Sequence, residues 1–103
     1  MKLINLTPHT IKISGHPDVE PSGYIARVNT QLQQVGSVNG VPLMTSKILG
    51  LSNVPDQAHD TMYIVAGMLR IQLPHRKDLC SPSKMIRNEH GAVVACGALE
   101  VNP

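Results

Sequence analysis

The chain has 103 residues and a net charge of +2 at neutral pH, with 42% apolar and 16% charged residues. That length fits one domain with a modest core, and so small a net charge does not by itself imply nucleic-acid binding. There is no Phe and no Trp, and the only tyrosines are Tyr24 and Tyr63, which argues against a base-stacking platform.

Residues 1–103 read as a single domain. Lys2–Leu6 and Thr10–Ser14 alternate apolar and polar residues on either side of Pro8, the pattern of two short strands around a turn. Loop-like breaks fall at Ser14–Gly23, Ser52–Asp60 and Leu73–Ser83, each containing proline. Tyr24–Val28 reads as a further strand. Val38-Asn39-Gly40-Val41 is the sharpest local signal. Asn-Gly between apolar residues favours a two-residue type I′ hairpin, because both central positions need positive φ. That turn pairs Val38 with Val41, Gly36 with Leu43 and Val35 with Met44. Ser37 then faces Pro42 at a non-hydrogen-bonded pair, which suggests a sheet edge.

Thr61–Leu73 is the most apolar stretch. Met62–Val65 reads as a buried strand. Ala66–Gln72 reads either as a short helix ended by Pro74 or as a continuation of the strand, since Gly67 weakens the helix. Met85–Arg87 and Ala92–Cys96 flank Asn88-Glu89-His90-Gly91, a four-residue hairpin connection. The expected fold class is α+β: a β-rich domain of sequential hairpins with one or two short helices.

Low charge on so small a chain also suggests a homo-oligomer, which would add buried area. Cys80 and Cys96 form neither a CxxC nor a zinc spacing. The opening MKLINLTPHT lacks the long apolar stretch of a signal peptide, and no segment reaches the roughly 20 apolar residues of a membrane span. A cytoplasmic protein with reduced thiols is expected.

No catalytic residue is assigned from sequence. GxSxG, GxxxxGK[ST] and GxGxxG are absent. The five histidines, His9, His16, His59, His75 and His90, show no metal-ligand spacing, so neither a metal nor another cofactor is expected. Pro74-His75-Arg76-Lys77-Asp78 carries the main functional candidates. The planar fork of Arg76 suits phosphate or carboxylate, and Asp78 can orient it or accept from a ribose or base. The alternative is an Arg76–Asp78 surface pair of little worth. Arg27 and Arg87 are further candidates for the same anion. Thr7 and His9 either contact a ligand or only satisfy the turn around Pro8. Tyr24 is a candidate stacking ring.

Six ordered segments carry a resemblance over nearly the whole chain: INLTPHTI, SGYIARV, GSVNGVPL, YIVAGML, PHRKDLCSP and IRNEHGAVVACGAL. Together they resemble a family of small phage, prophage and bacterial proteins that open with NLTPH. Asn88 and His90 depart from the acidic or glycine residues common there. By analogy the resemblance implies a phage context inside a bacterial host, and a sponge that sequesters a nucleotide immune signal in an anti-defence role. The expected partner is therefore a small phosphorylated molecule or nucleotide, cyclic or of ADP-ribose type. Two alternatives are a small enzyme using His9 and Asp78 as acid and base, and a structural or protein-interaction component of a phage.

Overall fold

A computed structural model describes all of residues 1–103. Six strands and one helix follow in chain order: β1 (Lys2–Asn5), β2 (Arg27–Val38), β3 (Val41–Ser52), β4 (Thr61–Ile64), α1 (Gly67–Gln72), β5 (Leu79–Arg87) and β6 (Val93–Val101). The result is a β-rich single domain with one short helix.

The central sheet has the order β1-β4-β5-β6. β1 pairs with β4 in parallel, β4 with β5 in parallel, and β5 with β6 in antiparallel. The segment between β1 and β2 joins the two outer edges. Ser14 donates to the carbonyl of Cys96, and Cys96 to that of Lys12, tying the segment to β6. Ile11 and Val19 exchange backbone hydrogen bonds, and Ser22 donates to the carbonyl of Asn5, which returns the segment to β1. The sheet is thus closed into a ring, leaving neither outer edge open along its full length.

Parallel partners share a face, so Ile4, Tyr63 and Leu79 point one way, while Asn5, Ile64 and Cys80 point the other. The first face carries the main core: Leu6, Ala26, Tyr63, Val65, Leu69 and Leu79, with Val28 and Leu51 from the hairpin base packed against it. A six-residue helix has too few internal bonds to stand alone, so the buried side chain of Leu69 holds α1 in place. Leu73 closes its last turn by donating to the carbonyl of Arg70, and Pro74 follows.

β2 and β3 form a separate two-stranded sheet, exposed along almost its whole length. Asn39 and Gly40 have φ of 50° and 78°, as a type I′ turn requires. Val38 pairs with Val41, Ser37 with Pro42 and Gly36 with Leu43 as expected, but Met44 pairs with Gln34. A bulge at Val35 shifts the register, because one extra residue on β2 sits opposite β3 and goes unpaired.

Other sequence expectations are also corrected. Lys2–Leu6 and Thr10–Ser14 do not form a hairpin around Pro8, because β1 takes β4 as its parallel neighbour instead. Only isolated bridges at Ile11 and Ile13 remain of the second strand. Regular pairing of the third strand begins at Arg27, not Tyr24. The expected break at Leu73–Ser83 ends at Asp78, since Leu79 onward is β5 and includes Pro82.

Candidate functional site

Asn5 organises the turn after β1. It is fully buried, and its amide donates to the carbonyls of His9 and Val19 at 2.7 and 3.0 Å. Its Oδ1 accepts from the backbone N–H and the hydroxyl of Thr7 at 2.9 and 2.7 Å. The Thr7 hydroxyl is thereby used inside the turn. The His9 imidazole is exposed, and only its backbone joins this network. For Thr7, satisfaction of the turn is the arrangement seen.

Arg76 and Asp78 form a forked pair, Nε to Oδ1 and Nη2 to Oδ2, both at 2.8 Å. Asp78 is only 5% exposed, so this is an internal clamp and not a loose surface pair. The hydrogen bonds from Arg76 hold the Asp78 carboxyl below its ordinary range, against the opposing effect of burial. The same pairing raises the Arg76 guanidinium. Nη2 of Arg76 also donates to the carbonyl of Pro55 at 2.9 Å, which fastens the Ser52–Asp60 loop to the start of β5. Three of the five N–H groups of Arg76 are thus turned inward.

Above that clamp lies a cleft of about 260 Å³ lined by Leu6, Tyr24, Asn53, Val54 and Pro55. Asn53 adopts φ of 59° and donates from Nδ2 to the carbonyl of Ile25 at 3.1 Å, joining the two walls. Tyr24 is 75% exposed at this cleft. Arg27 follows three residues later at the base of β2, opposite Ser52, with an exposed side chain and no ion pair. Arg87 is not brought here. It lies at the far end of β5, roughly 30 Å from Asp78 at the usual strand rise, and donates to the carbonyl of Gly91 within its own hairpin.

Two groups of residues fall outside the sequence-derived candidates. His16, Asp18 and Glu20 rim an open cleft of about 760 Å³ whose walls include Leu3, Ile13, Val19 and Leu99. The alternation in His16-Pro17-Asp18-Val19-Glu20 was the available signal for a shared face. The second group is a buried polar hub. Arg70, 7% exposed, donates to Ser81 Oγ and Asn102 Oδ1, both at 2.9 Å, and pairs with Glu100 at 3.1 Å. Asn102 in turn donates to the carbonyls of Arg70, Leu73 and Arg76. Arg70 is one of five basic residues between positions 70 and 87, yet its charge is spent internally. Nothing local in the sequence marks a partner 32 residues away.

No group of three potential metal ligands occurs in the structure. No helix is long and apolar enough to cross a membrane. Comparison with protein-family models, curated proteins and solved structures gave no match.

Proposed function

We propose that this chain is a non-enzymatic binding protein that sequesters a small phosphorylated ligand of nucleotide type, in the phage context implied by its NLTPH-opening segments. The observation that carries the reading is an exposed tyrosine ring at a braced cleft, followed three residues later by an exposed arginine with no ion pair. Tyr24 provides a face on which a base can stack. Arg27 keeps its guanidinium free for a phosphate, whereas Arg70 and Arg76 are bound to acidic or polar groups of the protein. Arg76 and Asp78 therefore act by fixing Pro55 and the cleft wall. A wall held this way gives up little freedom on binding, which favours tight retention.

The test is to incubate purified protein with cyclic nucleotides, ADP-ribose derivatives and mononucleotides, filter off free ligand, and identify what heat denaturation releases. Unchanged ligand, retained by the wild type and lost by Tyr24→Ala and Arg27→Ala, is the expected result. An altered molecule would mean turnover. No retention of any member would overturn the proposal.

A further inference from the structure

The hairpin of β2 and β3 has no counterpart in the rest of the molecule. With it, the whole chain has a Cα radius of gyration of 16.3 Å, where a compact chain of this length has about 13 Å. The accessible surface is 7023 Å² for 11.1 kDa, roughly 1,400 Å² above the value expected of a compact monomer of that mass. A standard interface takes about 800 Å² from each partner. The surplus is thus large enough to supply one subunit's share of a stable dimer.

The arm is also chemically unlike a solvated surface. From Val28 to Pro55 the only ionisable side chain is Lys47. Cross-strand register puts Leu32, Met44 and Ile48 on one face and Val38, Val41 and Leu43 on the other, all exposed. Both outer edges of this two-stranded sheet present unpaired backbone groups. Soluble proteins protect such edges with charge, proline or a covering element. Only β3 has that protection: Pro42 stands opposite Ser37 next to the turn-closing pair, so its missing N–H faces the free edge. β2 has no proline and, beyond Arg27, no charge.

We infer that the free edge of β2 is the interface with a second copy of this chain. β2 pairs antiparallel with its twofold equivalent to give a continuous sheet in the order β3-β2-β2-β3. The regular run Thr30–Gln34 lies between the two irregularities of β2, at Asn29/Thr30 and Gln34/Gly36. Leu32 is at its centre, next to the twofold axis. A neutral strand is matched by an equally neutral one, which an identical copy supplies; a charged partner would find nothing to pair with.

Sedimentation equilibrium and light scattering test it directly. The wild type is expected at twice 11.1 kDa at micromolar concentration. Leu32→Lys sets two lysines directly opposite each other across the axis, with Cβ atoms roughly 5 Å apart, and should weaken the dimer by at least about 100-fold. Leu32 is 66% exposed in the single chain, so the circular dichroism of that variant should not change. If it does, Leu32→Cys decides: mild oxidation should trap a disulfide-linked dimer near-quantitatively, because Cys80 and Cys96 are buried. A monomeric wild type, any other subunit number, a Leu32→Lys protein as dimeric as wild type, or a Leu32→Cys protein that does not cross-link would each overturn the proposal.

Discussion

Replacing Asn102 with alanine removes a side chain that is 6% exposed and bonds three residues, Arg70, Leu73 and Arg76, at once. Its Oδ1 accepts from the Arg70 guanidinium at 2.9 Å, and a hydrogen bond to a charged group contributes about 1.5–3 kcal/mol. Its amide also donates to the carbonyls of Leu73 and Arg76 at 2.9 and 3.0 Å, where the chain leaves α1. Those carbonyls are partly buried, so each loss adds up to roughly 1 kcal/mol. The expected destabilisation is about 3 kcal/mol, a large share of the roughly 5–15 kcal/mol typical of a domain. At about 5 °C per kcal/mol, Tm should fall by roughly 15 °C. Thermal melting and urea titration followed by circular dichroism measure it. Asn102→Asp keeps the acceptor for Arg70 but loses the donors, so it should lie between wild type and Asn102→Ala. Combining Asn102→Ala with Arg70→Met should cost less than the two separately, because the arginine left without its acceptor is gone. A loss below about 0.5 kcal/mol, or strict additivity, would refute this account of the hub.

The Arg76–Asp78 clamp predicts an acid-side dependence. Because the Asp78 carboxyl is held below its unfolded value, its stabilisation is complete above that value, about 3.9, and is lost as pH falls through the lower folded one. Asp78→Asn should be less stable than wild type at pH 7, and the gap between their melting temperatures should narrow below about pH 4; parallel curves would contradict the assignment. Cys80 predicts the alkaline counterpart. Burial pushes its thiol from 9.0 up to about 11, so its contribution is complete below 9.0 and is lost as pH rises towards that folded value. Cys80→Ala should flatten the alkaline loss. Ellman's reagent at pH 8 should label neither cysteine until urea unfolds the chain, and rapid labelling of the native protein would show Cys80 or Cys96 to be accessible.

Local chemistry made the hairpin turn legible. Asn39-Gly40 specifies its own conformation through two positive φ values, and Pro74 lies just beyond the helix it was expected to end. Gly91, at φ of 81°, likewise fits the expected connection before β6. The bulge at Val35 was not legible, because alternation alone does not reveal one extra residue in a uniformly neutral strand.

What the sequence by itself determined was a small β-rich chain, its two tight hairpin connections, and a set of residue types able to hold an anion. The tertiary structure decided which strands are neighbours and which charges are free. Parallel pairing of β1, β4 and β5 joins segments about 60 and 16 residues apart, and no local periodicity encodes such a choice. The same folding turns Arg70 and Arg76 inward onto partners at Asn102 and Asp78, carries Arg87 to the far end of β5, leaves Tyr24 exposed at a cleft, and leaves Arg27 exposed at the start of β2. An arginine's availability depends on the geometry and solvation around it, which only the folded chain supplies.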